Sequence, residues 1–100
     1  MTEEPRDPSA CRSMEDVRTG IDHVDEQLVA LFMRRVGYID RAAEIKRPLN
    51  LPARIDWRVE EVVAKVRARA LAEGLDPDLA ETIWRHLIDW SIAREERALG

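Results

Sequence analysis

Residues 21–46, IDHVDEQLVALFMRRVGYIDRAAEIK, decide how this chain folds. Their apolar side chains fall at Ile21, Val24, Leu28, Leu31, Tyr38, Ala42 and Ile45, separated by three and four residues in turn except at one gap. That spacing places them along one face of an α-helix, because 3.6 residues complete a turn, whereas a strand would alternate with period two. Sustained over this length it is a heptad seam, with Gly20 and Gly37 tolerated as local weak points. The gap is Arg35, seven residues after Leu28 and seven before Ala42, where a guanidinium stands in place of an aliphatic side chain.

Outward from this stretch, Ser13 stands three residues before Asp16 in a capping-box-like arrangement, so the helix is expected to begin there. Pro48, which lacks an N–H and whose ring clashes with the preceding turn, is expected to stop it. A helix over residues 13–46 is roughly 50 Å long at its ordinary rise, against a radius of gyration of about 13 Å for a compact domain of this size. The rest of the chain is too short to cover such a seam. An intertwined homodimer of three-helix chains is therefore expected.

Residues 1–12 contain two prolines and almost no large apolar side chain, and are read as a flexible arm. Residues 13–100 are read as a single all-α domain. Residues 47–52, RPLNLP, form a loop stiffened by proline at both ends and a candidate lid. A second helix is predicted from near Asp56, with Val59, Val62, Val63, Val66 and Ala70 on its apolar side and Gly74 as its stop. Asp76 and Pro77 then supply the N-cap and first position of a third helix, whose apolar positions are Leu79, Ile83, Trp84, Leu87, Ile88, Trp90 and Ile92. Trp57, Trp84 and Trp90 are most simply core or dimer-interface anchors. No internal repeat and no strand pair is visible.

The 100 residues carry 16 Lys plus Arg against 20 Asp plus Glu, a net charge of −4. That argues against general nucleic-acid affinity, which needs a basic excess on one face. The single cysteine, Cys11, excludes an internal disulfide and a thiolate zinc site, and fits a reducing compartment. With no signal sequence and no run long enough to span a bilayer, a cytoplasmic protein is expected. His23 and His86 have no second ligand at metal-binding spacing, and the chain lacks a P-loop, a GxSxG, an HExxH and a dinucleotide-binding glycine pattern. Neither a metal nor an organic cofactor is expected.

The informative residues are charges on apolar stripes. Arg35 and Lys46 are eleven residues apart, about 1100° of helical rotation, so they point within roughly 20° of one another. Two cations on one face can hold a small anion. Alternatively, Arg35 is a snorkelling side chain and Lys46 a cation complementing the helix dipole. Arg18 points about 100° away from Arg35 on the helical wheel, so it can serve such a site only from a second chain. On the third helix, Ser91 and Glu95 form an i, i+4 pair that continues the row of Trp84 and Ile88, unless Glu95 simply belongs to a solvated last turn with Arg94, Glu96 and Arg97.

Taken together, residues 11–95 resemble the all-α chorismate mutase family, and within it the branch of isochorismate-pyruvate lyases. The resemblance is carried by Asp16, Val17 and Arg18, by Ile21, Asp22, Val24 and Asp25, by residues 31–35, and by Ala42 and Lys46. Arg58, the turn Gly74-Leu75-Asp76 and the row Trp90-Ser91-Ile92-Ala93 with Glu95 add to it. It implies an intertwined helical dimer and a shikimate-derived dicarboxylate substrate. Arg35 would hold one carboxylate and Arg18 of the other protomer the second. Lys46 and Glu95 would bracket the ether oxygen of the breaking C–O bond, with Arg58 and Ser91 completing the substrate contacts. No nucleophile is needed for a unimolecular pericyclic reaction, only a compact substrate conformer and stabilised charge on the ether oxygen.

Three positions set this chain within the family. Many bacterial members carry Gln where Glu95 stands, and a carboxyl group donates a hydrogen bond only when protonated, so activity is expected to fall as pH rises. Val59 occupies the position of a ring-hydroxyl-binding Glu of typical mutases, as in the lyases, whereas Ser91 follows the mutase pattern. Chorismate mutase is the leading reading, isochorismate-pyruvate lyase the alternative, and a non-catalytic helical dimerisation module the lesser one.

Overall fold

The structure, a computed structural model, describes residues 5–100, so the first four residues of the expected arm lie outside the described residues. A short 3-10 turn, Pro8–Ala10, precedes three α-helices: α1 (Met14–Leu49), α2 (Asp56–Glu73) and α3 (Pro77–Leu99). There is no strand among the described residues, and none of their helices is long and apolar enough to cross a membrane. The chain divides within α1 into a unit that ends at Val36 and a second unit, Gly37–Gly100.

In the first unit the predicted cap is present. Ser13 Oγ accepts from the Asp16 N–H at 3.1 Å, which satisfies a donor that the first helical turn leaves unpaired, and Asp16 Oδ2 accepts from the Arg12 N–H just before the cap at 3.0 Å. The described part of the arm is drawn in by the Cys11 thiol, 3.6 Å from the Asp7 carbonyl, and by Arg6, 3.9 Å from Asp16. Along α1 the seam residues Ile21, Val24, Leu28 and Leu31 are all exposed in the single chain, Leu31 to 57%.

The second unit is built on α2 against α3, with the last turns of α1. Ala53, Val59, Val63, Ile88 and Ile92 form its buried cluster, and Val62, Trp84 and Leu99 pack around them. Each large aliphatic side chain removed from water here contributes about 1.5–3 kcal/mol. Of the three tryptophans, Trp84 alone joins this cluster, while Trp57 is 70% and Trp90 47% exposed in the chain.

The helix ends follow from their residues, with one correction. Pro48 does not stop α1 but sits inside its last turn. Asn50, in the left-handed region at φ 53°, donates to the Arg47 carbonyl, and Leu51 donates to that of Lys46. These two bonds are a Schellman closure, which retains the turn although the proline ring removes one helical hydrogen bond. Gly74, at φ 80°, closes α2 in the same way, with Leu75 donating to the Ala70 carbonyl at 2.8 Å. The Asp76 side chain caps α3 by accepting from the Asp78 N–H, and Pro77 occupies its first turn.

Candidate active site

Lys46 and Glu95 meet in the second unit. Lys46 leaves the final turns of α1 and donates from Nζ to Glu95 Oε1 at 2.8 Å and to the Ala53 carbonyl at 2.9 Å. The pair is withdrawn from water, with side-chain exposures of 16% and 6%. An ion pair in such a place offsets its desolvation cost only when its members are hydrogen-bonded as well, and the Ala53 carbonyl supplies that second bond.

Glu95 occupies the inner face of α3. Ser91, one turn earlier, is 3% exposed, and with Ile88 and Ile92 these residues form one buried stripe. This excludes a solvated last turn for Glu95. The Ser91 hydroxyl donates to the Leu87 carbonyl of its own helix at 2.8 Å. Val59 is buried in the adjoining cluster from α2, so α2 presents an aliphatic side chain there and not a carboxylate.

The charges around the pair behave differently. Arg94 donates to both carboxylate oxygens of Asp40, at 2.6 and 3.1 Å, and lies over the Trp90 ring, 5.7 Å from its centre. That bidentate bond holds the Asp40 carboxyl below its ordinary value and tethers α1 to α3. Arg58 is exposed at the start of α2, its guanidinium 2.5 Å from Glu61. Arg18 is exposed and Arg35 half-buried on α1, both within the first unit. Of the residues singled out in the sequence, the second unit therefore brings together Lys46, Glu95 and Ser91. Among the described residues no group of three or more His, Cys, Asp or Glu is placed to hold a metal ion.

The Ala53 carbonyl was not visible in the sequence, because a main-chain acceptor leaves no side-chain signature. Its segment carried a signal only of stiffness, through Pro48 and Pro52.

Residues 17–96 match the family described as chorismate mutase type II. The chain belongs to this family. Among curated relatives of this chorismate mutase-type chain, the isochorismate pyruvate lyase of Pseudomonas aeruginosa is 30% identical over 92 residues, which cover 88% of this chain and 86% of that protein. The T-protein of Haemophilus influenzae is also 30% identical over 92 residues, covering 89% of this chain but 24% of the T-protein. That of Enterobacter agglomerans is 32% identical over 79 residues, covering 79% of this chain and 21% of its own length. The chain thus spans less than a quarter of the T-proteins, and nearly the whole of the lyase.

Proposed function

We propose that the chain is a chorismate mutase, rearranging chorismate to prephenate. The observation that supports this reading best is the buried Lys46–Glu95 pair, a cation and a carboxyl group at 2.8 Å beside the buried Ile88, Ser91 and Ile92, within a chain of the chorismate mutase type II family. In a Claisen rearrangement the ether C–O bond breaks while a C–C bond forms in the same molecule, so neither a nucleophile nor a redox partner is required. The protein's task is to hold a compact substrate conformer and to stabilise charge developing on the ether oxygen.

Lys46 is suited to that task. An ammonium has three donors, and two are used by Glu95 and Ala53, leaving the third for the ether oxygen. Glu95 would bracket the same oxygen from α3, holding the Lys46 ammonium against it. Arg35 would hold one substrate carboxylate and Arg58 and Ser91 would complete the pocket wall. Arg18 would enter from a second copy, in a homodimer that covers the exposed seam of Ile21, Val24, Leu28 and Leu31. No cofactor enters this scheme.

A second reading is favoured by one observation, the coverage of 86% of the Pseudomonas aeruginosa isochorismate pyruvate lyase. The same cations would serve elimination of pyruvate from isochorismate to leave salicylate. Incubation with each substrate in turn, following loss of chorismate absorbance and gain of salicylate fluorescence, separates the two. Turnover of chorismate carries the first reading and salicylate formation the second. Turnover of neither identifies a non-catalytic helical module.

A further inference from the structure

The Lys46 ammonium is held between two acceptors of different kinds, the Glu95 carboxylate on α3 and the main-chain carbonyl of Ala53 in the connection between α1 and α2. A lysine head on its flexible four-carbon stem swings about a single acceptor, whereas two acceptors from different elements fix its direction. The carbonyl is itself fixed. The Ala53 methyl is buried in the α2–α3 cluster, at 8% exposure, so the segment is anchored from inside. On one side Asn50 and Leu51 bond back to the end of α1, and on the other the Ile55 carbonyl accepts from the Arg58 and Val59 N–H groups at the start of α2. Pro52, with its locked φ, removes a further degree of freedom immediately before Ala53.

We propose that Ala53 is a positioning residue: its buried methyl docks the connecting segment on the core, and its carbonyl, together with Glu95, aims the Lys46 ammonium so that one N–H is directed at the substrate. The direction of that N–H rests on the pericyclic reading above, while the pinning of Lys46 does not. Alanine suits the position because a larger side chain overpacks the cluster and glycine frees the backbone.

The chain's two lysines, Lys46 and Lys65, make the test internal. Lys65 is exposed, 4.0 Å from Glu61, and serves as the reference. The full chain is trace-labelled with acetic anhydride and the two sites are compared by mass spectrometry. Two variants are used: Ala53→Gly, and a semisynthetic chain whose Ala53–Arg54 amide is replaced by an ester, which weakens the carbonyl acceptor and leaves every side chain in place. Melting by circular dichroism follows the fold of each. Lys46 is expected to react several-fold more slowly than Lys65 in the parent, and both variants are expected to raise the Lys46 rate several-fold at an unchanged Lys65 rate. With the substrate that the parent turns over, kcat is expected to fall several-fold at an unchanged KM, a split that simple loss of pocket shape would not produce. An unchanged labelling ratio in both folded variants overturns the proposal, as does a raised ratio with an unaltered kcat. A parent chain that turns over neither chorismate nor isochorismate, yet shows the labelling shift, overturns the pericyclic reading and leaves the pinning of Lys46 standing.

Discussion

Lys46 and Glu95, 49 residues apart in sequence, are joined Nζ to Oε1 at 2.8 Å, and the bond links the last turns of α1 to the last turns of α3. The pair lies in an aliphatic setting, and this governs what its removal does. Taking away one partner of a buried pair leaves the other charge without compensation, whereas replacing both leaves a packed apolar site. Lys46→Met is expected to lower stability by about 3–5 kcal/mol at neutral pH, and the double variant Lys46→Met with Glu95→Leu to recover most of that loss. Urea denaturation at one fixed protein concentration measures both. Equal losses in the single and double variants would show that the pair is not the unit that matters.

Catalysis depends on the same two groups in another way. Removing a single preorganised donor to a developing oxyanion typically costs about 10²–10³ in kcat, and Lys46→Ala is expected to fall in that range. Glu95→Gln keeps the side chain's length and brings an amide that is a donor as well as an acceptor, so it should retain turnover. Turnover that is unchanged in Glu95→Ala as well, measured as kcat at one fixed pH, would remove Glu95 from the ether-oxygen role.

The exposed seam predicts an assembly. Sedimentation should give twice the 11.5 kDa mass of the chain, and the pair Ile21→Glu with Leu28→Glu should reduce it to one. Shared sites make a sharper test. If Arg18 serves the partner's site, mixing Arg18→Ala chains with Lys46→Ala chains regenerates one intact site in each mixed dimer and restores activity that both pure variants lack. No recovery after confirmed exchange of chains would place Arg18 in its own chain's site, and full activity in pure Arg18→Ala would place it in none.

Acid should loosen the second unit through its surface pairs. Hydrogen bonds from Arg85 hold the Glu60 and Glu81 carboxyls below their usual 4.5, and Arg94 holds Asp40 below 3.8. A depressed folded-state value means that the unfolded chain takes up protons first. The stability from these pairs is therefore fully present above the unfolded values and is lost as pH falls through the folded ones. Melting temperatures are expected to hold down to about pH 5 and to drop below pH 4, with Arg85→Gln flattening the drop. An equally steep decline in that variant would assign the acid sensitivity to other groups.

The turn between α2 and α3 can be tested one residue at a time. A Cβ added at Gly74 would meet nothing within 4 Å, so Gly74→Ala reports the left-handed backbone alone and should cost about 1–2 kcal/mol. Asp76→Ala removes the acceptor for the Asp78 N–H and should cost about 1 kcal/mol. Thermal denaturation checks both, and a neutral Gly74→Ala would contradict the φ of 80°.

By itself the sequence determined what depends on neighbours along the chain. The seam of α1, the Ser13 cap, the Gly74 stop and the Asp76-Pro77 start are set by side chains within one or two turns of each other, and helical periodicity reads them directly. It also marked Arg35, Lys46, Ser91 and Glu95 as polar groups on apolar stripes. Tertiary structure decided what depends on residues far apart. Spacing alone favours a wet helix end for Glu95, and only the packing of α3 against α2 and the approach of Lys46 make it a buried partner. The ring of Pro48 opposes helix and predicts a stop, yet the bonds from Asn50 and Leu51 outweigh the single hydrogen bond that the ring removes. The Ala53 carbonyl, identical in chemistry to that of any other residue, acquires its role only from where the chain places it. Local chemistry writes helices into a sequence, but a site made of main-chain and side-chain groups 49 residues apart exists only once the chain has packed.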